Sequence, residues 1–334
     1  MAHDGQEHGG RLHAAARHWG IPATRWLDLS TGINPRAWPL PAIPDQVWQR
    51  LPDEDDGLSA AVRQALQLQP ATGVLPLPGS QAAIQLLPTL RRASRVAVPT
   101  PGYAEHAAAW RAAGHAVQPV PVAAMARAVD TVDVLVWIQP NNPTGDLLPP
   151  AELLDWHARL VTRGGWLIVD EAFIETCPDY SLQSALGRPG LLVLRSFGKF
   201  FGLAGLRAGL LLGDAEVCEG LAAQLGPWAV SGPARYLMQR ALADHAWQRS
   251  SRRHMAAAGR RLTAVIEDTL GVTTTGTDLF RYWEEPRAEE IQERLAREAI
   301  LIRRFVDPTA LRIGLPGAEQ DWGRLQAALQ AIPR

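Results

Sequence analysis

The chain has 334 residues, 47% hydrophobic and 20% charged, with a formal net charge of −1. That length exceeds the usual single core and argues for two domains, and the near-neutral balance supplies no field or basic arm for nucleic acid. No apolar run reaches membrane-spanning length, the start Met1-Ala-His-Asp-Gly-Gln-Glu lacks the basic and apolar parts of a signal peptide, and Cys177 and Cys218 form no CxxC pair, so a cytoplasmic protein is expected.

Residues 1–45, rich in Pro, Gly and Trp, read as an irregular N-terminal arm. From about Gly57, helical and strand patterns alternate. Apolar spacing predicts a helix over Leu58–Leu68, a strand over Val74–Leu77, and a helix that opens at Gly79-Ser80-Gln81 and ends near Pro88. Arg95–Val98 reads as a strand, Gly102–Ala113 as a helix closed by Gly114, Val132–Ile138 as a buried strand and Pro150–Val161 as a helix. Trp166–Asp170, Leu191–Ser196 and Ala208–Leu212 are further strands. The alternation predicts an α/β large domain over residues 46–226, a mostly parallel sheet with helices on both faces.

After Asp214 the character changes. Helical pattern covers Glu216–Leu225 and, with weak interruptions, Pro233–Thr269. Short strand-like pieces follow at Leu279–Glu284, Ile300–Phe305 and Leu311–Leu315, with a helix over Ala288–Arg297. These predict a smaller α+β domain over residues 227–334, divided from the first near Gly226-Pro227.

Of the 33 basic side chains, one is a lysine, Lys199; the others are arginines. A guanidinium keeps its proton at working pH and cannot act as an amine nucleophile. A single retained lysine points to amine chemistry, foremost a Schiff base with a carbonyl compound such as pyridoxal 5'-phosphate. Three predicted strands lead into polar loops: Gln139-Pro-Asn-Asn142-Pro-Thr-Gly145, Asp170-Glu-Ala-Phe173 and Ser196-Phe-Gly-Lys199. In a parallel sheet such strand ends face one crevice. Asp170 suits the carboxylate that keeps a pyridine nitrogen protonated, and Asn142 can donate to a phenolic oxygen. Gly79, Ser80 and Gln81 at a helix start, with Ser196 and Arg207, supply amides, hydroxyls and a guanidinium for a phosphate. Tyr103 could stack on the ring. Each alone has an ordinary structural alternative, as an N-cap, a turn or a packing residue; together, in this order and each after a strand, they form a set.

That series (Gly79-Ser-Gln, Pro-Gly-Tyr103, Asn-Asn142-Pro-Thr-Gly, Asp170-Glu-Ala-Phe and Ser196-Phe-Gly-Lys199 followed by Arg207) resembles the fold-type I PLP-dependent enzymes, the aspartate-aminotransferase-like superfamily, over essentially the whole chain. The resemblance implies that Lys199, Asp170, Asn142, Ser196 and Arg207 hold the cofactor, and that the protein is a homodimer with sites at the subunit boundary. Within that superfamily the chain is similar to the L-threonine-O-3-phosphate decarboxylases of cobalamin biosynthesis. The features are Glu7-His8-Gly9-Gly10, Leu27-Asp-Leu-Ser-Thr-Gly-Ile-Asn34-Pro35, the lysine segment and Leu311-Arg312-Ile-Gly-Leu-Pro-Gly. Histidinol-phosphate aminotransferases resemble it too. Phe173 stands where an aminotransferase usually has a tyrosine, and it cannot donate a hydrogen bond; this weakens the transaminase reading without removing it.

The substrate implied is a small phosphorylated amino acid. Arg312 is the candidate carboxylate clamp and Arg303 the candidate phosphate ligand, with Arg304 turned to the other side of its strand. The resemblance adds His8 and Asn34 from the arm, and Gly32 as a point of close backbone approach. Many relatives carry a tyrosine in the segment matching Leu51–Gly57 that reaches the neighbouring subunit; this chain has none there, so no residue is assigned across a dimer.

Overall fold

The computed structural model describes residues 8–333. The start at Met1–Glu7, including Glu7 of the first motif, lies outside them. Strands are numbered in chain order: β1 (Leu27–Asp28), β2 (Gly73–Leu77), β3 (Arg95–Thr100), β4 (Ala116–Pro121), β5 (Val134–Ile138), β6 (Trp166–Asp170), β7 (Leu191–Ser196), β8 (Gly209–Gly213), β9 (Thr275–Thr277), β10 (Phe280–Glu284), β11 (Ile300–Leu301), β12 (Arg303–Val306) and β13 (Thr309–Gly314). The chain divides into two compact units. A large one comprises Ala37–Asn142 and Asp146–Ser250; the other comprises the described residues up to Arg36, Pro143–Gly145 and those from Ser251 onward. The arm therefore groups with the C-terminal unit, and residues 227–250 with the large one, whereas the sequence pattern sets the arm apart and draws the boundary near Gly226-Pro227.

The large unit is built on a seven-stranded sheet in the order β2-β8-β7-β6-β5-β3-β4. Neighbours from β7 to β4 run parallel, and β8 is antiparallel to both β2 and β7. The reversal has a local cause. A parallel return needs a crossover, usually a helix. Residues 197–208 contain one short 3-10 turn, Ala204–Leu206, and so bring the chain straight back as β8. Strand β5 is buried along its whole length, as expected of an apolar run covered on both faces. Val96, Val98, Val134, Val136, Ile168, Leu192, Leu194 and Leu211 meet Ile84, Leu87, Trp110 and Leu221 from the covering helices in one core cluster. Strand β4 is absent from the sequence reading. It carries Pro119 and Pro121, which hide a strand pattern yet are tolerated at the sheet edge it occupies. The long helical stretch beginning near Pro233 is two helices, Gly232–Ala243 and His245–Leu270. Asp244 separates them; its Oδ1 accepts from Trp247 N at 3.0 Å and its Oδ2 from Trp38 Nε1 at 3.1 Å.

The second unit holds an antiparallel sheet in the order β12-β13-β10-β9 and a parallel pair, β1 with β11. The arm contains a helix, Leu12–Trp19, where the sequence reading has irregular chain. Leu12, Ala15, Ala16 and Trp19 share its buried side and pack with Trp26, Ala296, Ala299 and Leu301. Leu27 pairs with Ile300, which ties the arm to the C-terminal segment. A last helix, Glu319–Gln330, absent from the sequence reading, buries Trp322, Leu325 and Leu329. Among the described residues no helix is long and apolar enough to cross a membrane.

Candidate active site

In the large unit the expected residues stand at strand ends and adjoining loops. Asp170 ends β6 and is buried. Its Oδ1 accepts from Ala172 N at 3.0 Å, and its Oδ2 accepts from His106 Nε2 at 3.0 Å. Gln139 N donates to Asp170 O at 2.9 Å, which fixes the loop bearing Asn142 to the same strand end. That loop is held from inside. Buried Gln139 accepts from Trp137 Nε1 (2.8 Å) and donates to Leu148 O (2.6 Å), and Asn141 Nδ2 donates to Pro101 O (2.9 Å). Asn142, half-buried, is the last residue of the large unit before Pro143–Gly145.

Lys199 lies in the β7–β8 connection, half-buried, with Nζ 5.7 Å from the centre of the buried Phe173 ring. Ser196 ends β7, and its Oγ accepts from Gly198 N at 3.2 Å. Gly79 has φ +84°, which lets the chain turn sharply into the helix Ser80–Leu86. A Cβ there would sit 2.8 Å from Arg207 Nη2, so the guanidinium lies directly against this turn. A Cβ on Gly209 would likewise meet Ser80 N at 2.6 Å. The turn, the amide of Ser80 and Arg207 therefore converge beside β8. Tyr103 Oη donates to Gln81 Oε1 at 3.1 Å, and the Tyr103 ring meets the His106 ring edge-on, centroids 6.1 Å apart. Gln81, Tyr103, His106 and Asp170 thus form one contiguous row.

His106 is absent from the sequence reading. It stands in a helix, Ala104–Ala112, three residues after Tyr103, and nothing in its spacing distinguishes it from a packing histidine. Burial beside Asp170 is what identifies it. The set offers an amine, a buried carboxylate, an aromatic side chain and, beside β8, a glycine turn with a backbone amide and a guanidinium close by. A phosphorylated pyridine aldehyde needs those donors, and the residues fit it.

The remaining expected residues gather in the second unit. Arg303 on β12 and Arg312 on β13 are direct partners across the sheet, so both project from one face. Arg304 projects from the other and pairs with Glu289 at 3.2 Å, as the alternation requires. The Arg303 and Arg312 guanidiniums lie 5.1 Å from the Phe305 and Phe280 ring centres. Burial, and then the like charge of Arg303, push Arg312 down to about 9. A buried guanidinium beside a second, half-buried one is a place where an anion is electrostatically favoured.

The arm covers this face. Arg312 Nη2 donates to Ser30 O at 2.8 Å, and Gly314 N donates to Leu29 O at 2.8 Å. Ser30 Oγ accepts from Gly10 N at 2.7 Å and donates to Asp28 Oδ1 at 2.6 Å. A side chain at Gly9 would run into Ser30 O at 2.3 Å. These contacts hold the segment that begins with the exposed His8. Gly32 and Asn34 are buried, and Asn34 Nδ2 donates to Ser251 Oγ at 3.1 Å. Ser30, which links the arm to Arg312, stands within the Leu27–Pro35 motif but has no role of its own in the sequence reading.

The sequence matches the family model "Aminotransferase class I and II" over residues 52–332. It is 53% identical to a threonine-phosphate decarboxylase of Pseudomonas aeruginosa, over 97% of each chain. It is 46% identical to a threonine-phosphate decarboxylase of a Sinorhizobium species, over 94% of each. Its fold is similar to that of a histidinol-phosphate aminotransferase from Sinorhizobium meliloti solved with pyridoxal-5'-phosphate, with a TM-score of 0.81, 21% identity and 98% of each chain covered. The chain belongs to the class I and II aminotransferase family, on its threonine-phosphate decarboxylase branch.

Proposed function

We propose that this protein decarboxylates L-threonine O-3-phosphate to (R)-1-amino-2-propanol O-2-phosphate with pyridoxal 5'-phosphate, in cobalamin biosynthesis. One observation carries the reading: the chain combines an amine–carboxylate set, Lys199 and Asp170, with two guanidiniums opposed across one sheet face, the buried Arg312 and the half-buried Arg303. The first suits a pyridine aldehyde, the second a small substrate with two anionic groups. The names of the curated relatives agree with it.

When bound, the cofactor supplies a ring that accepts the electron pair left on the substrate α-carbon as carbon dioxide departs. Lys199 Nζ would hold the cofactor through its aldehyde, and its amine is the group placed to deliver a proton to the substrate α-carbon. Asp170 keeps the proton on the ring nitrogen, and His106 holds Asp170 in place. The Ser80 and Gln81 amides, the Ser80 and Ser196 hydroxyls and Arg207 hold the cofactor phosphate, with Gly79 leaving the gap they surround. Asn142 donates to the phenolic oxygen and Tyr103 covers the ring. Phe173 places an apolar ring beside Lys199, so the amine is the proton source there. Arg312 takes the substrate carboxylate. Arg303, His8 and Asn34 take the substrate phosphate, and Gly32 lets the backbone come close.

The protein works as a homodimer on this reading. Leu40, Trp48, Leu51 and Trp228 of the large unit are 53–66% exposed, large apolar surfaces of the kind a second copy covers. Light scattering on the purified holoprotein tests this; a monomer at micromolar concentration would refute it.

The function is tested by incubating the holoprotein with threonine phosphate and no keto acid. Carbon dioxide and an amino-alcohol phosphate are expected. Turnover that requires a keto acid and releases no carbon dioxide would instead support a histidinol-phosphate-type aminotransferase.

A further inference from the structure

Among the described residues, the Asp28 carboxylate reaches Ser30 and no group assigned to the reaction. Asp28 ends β1, where Leu27 and Asp28 pair with Ile300 and Leu301 of β11. Leu29, next in the chain, donates from N to Leu301 O at 2.8 Å and accepts at O from Gly314 N at 2.8 Å. The backbone beside Asp28 is therefore pinned to β11 and to the end of β13. Gly314 permits the close crossing, since a Cβ there would meet Thr31 O at 2.1 Å. From this fixed base one carboxylate oxygen sets the next residue but one. Asp28 Oδ1 accepts from Ser30 N at 2.9 Å and from Ser30 Oγ at 2.6 Å. A hydroxyl has one proton to give. Ser30 Oγ gives it to Asp28 and so turns a lone pair to Gly10 N, which donates to it at 2.7 Å. The carbonyl of the same serine accepts from Arg312 Nη2 at 2.8 Å, and a Cβ on Gly9 would sit 2.3 Å from that oxygen. Ser30 is 2% exposed, so water competes little for these bonds.

We propose that Asp28 is a positioning residue for substrate recognition: by holding Ser30 it sets both the Arg312 guanidinium and the His8-Gly9-Gly10 segment. The proposal rests on the substrate assignment above and deepens it. The bond from Arg312 to Ser30 O fixes the guanidinium plane, on which a grip on a carboxylate depends. The bond from Gly10 to Ser30 Oγ fixes the chain two residues after His8, the root from which that imidazole reaches the substrate phosphate. Two groups from opposite ends of the chain thus share one support. Without the Asp28 carboxylate, the Ser30 hydroxyl is no longer obliged to present a lone pair to Gly10, and the Ser30 backbone loses the bond that holds its carbonyl toward Arg312. Asp28 acts through Ser30 and touches no substrate atom.

The test compares Asp28→Ala, which deletes the acceptor, with Asp28→Asn, which keeps an acceptor oxygen in the same shape, and with Ser30→Ala, which removes the hydroxyl and keeps the carbonyl. Threonine phosphate is titrated into each holoprotein and followed by cofactor absorption. Asp28→Ala should bind it about tenfold or more weakly, and Asp28→Asn should recover most of that loss. Cofactor affinity, assigned to residues of the large unit, should stay at the wild-type value. Hydrogen exchange at the Gly10 amide should quicken in Asp28→Ala and in Ser30→Ala, since both remove its fixed acceptor. The loss in the combined variant should be less than the sum of the two single losses, because both act along one line of contacts. A lowered melting temperature with unchanged affinity for threonine phosphate would overturn the proposal and leave Asp28 a structural turn residue. An equal loss of threonine phosphate and cofactor binding would overturn it too. Ser30→Ala keeps the question decidable if Asp28→Ala does not fold: wild-type affinity and wild-type exchange in that variant would overturn the proposal. The readout is binding, so a wild-type protein that binds threonine phosphate without releasing carbon dioxide would sink the proposed reaction alone, whereas one that does not bind it would overturn both.

Discussion

His106 Nε2 donates to Asp170 Oδ2 at 3.0 Å, with both side chains almost entirely buried. Ala172 N also donates to that carboxylate, on Oδ1 at 3.0 Å. A carboxylate removed from water needs such donors to stay charged. His106→Phe keeps a ring of similar size and deletes the donor. We expect a loss of about 1–3 kcal/mol in unfolding free energy by urea denaturation. We also expect turnover to fall at least tenfold and cofactor affinity to weaken, measured by dialysis against buffer without pyridoxal phosphate. A variant with wild-type stability and rate would detach His106 from the site.

His106 carries no local signal of its role, in contrast to several other residues of the site. Lys199 is visible by scarcity, and Asp170, Asn142 and Ser196 by their place just after buried apolar strands, a pattern that survives without knowledge of partners. Arg312 and Arg303 are visible from the resemblance, but that they face each other depends on the register of β12 against β13, which no local pattern encodes. His106 sits inside a regular element, where a polar residue on the buried side looks like any other. The composition of the arm marks it as irregular, and its Pro and Gly conceal a helix that packs on Ala296 and Ala299, almost the full chain length away. Long-range packing of that kind leaves no local trace.

Lys199, Asp170 and Phe173 make separable contributions. Lys199→Arg keeps the charge and removes the amine that can lose its proton, so turnover should vanish with the melting temperature preserved. Asp170→Asn keeps the shape and removes the negative charge, so the rate should fall by several orders of magnitude. Phe173→Tyr adds a hydroxyl near Lys199 and should cost much less. Steady-state rates of the three variants decide the ordering. Equal losses for Asp170→Asn and Phe173→Tyr would show that the carboxylate has no special hold on the cofactor.

Arg312 gives a pH dependence with a definite sign. Its guanidinium is pushed from its ordinary, higher value in the unfolded chain down to about 9 by burial and by the like charge of Arg303. Between those values the unfolded state binds the extra proton, so this group's contribution to stability rises with pH across that window. Below pH 9 both states are protonated, and the cost of burying the charged Arg312 beside Arg303 is present in full. A bound anion offsets that cost only while Arg312 is charged. Threonine phosphate should therefore raise the melting temperature most at pH 7–8, and its effect should shrink as pH climbs through about 9. Arg312→Leu should abolish most of the ligand effect and flatten its pH profile. A ligand effect that stays constant from pH 7 to 10 in the wild-type protein would contradict the assignment.

The strand ends that carry Asp170 and Ser196 are joined on their other side by a buried ion pair. Arg195 Nε lies 2.9 Å from Glu171 Oε2, with side-chain exposures of 5% and 0%. Arg195 also pairs with Glu175 and donates to Ser181 Oγ at 2.8 Å, while Glu171 accepts from Ser181 Oγ at 2.9 Å and Leu182 N at 2.8 Å. Alternation along β7 turns Arg195 away from the face used by Ser196, so the pair touches no reacting group. Its effect is to fix the β6 and β7 termini relative to each other. Arg195→Met leaves Glu171 charged and buried without its cation, which should cost about 3–5 kcal/mol in urea unfolding. Arg195→Met combined with Glu171→Leu removes both charges together and should recover a large part of that loss, because an apolar pair in this place carries no desolvation penalty. Additive losses in the double variant would mean that the two side chains stabilise the fold through separate neighbours and not through each other.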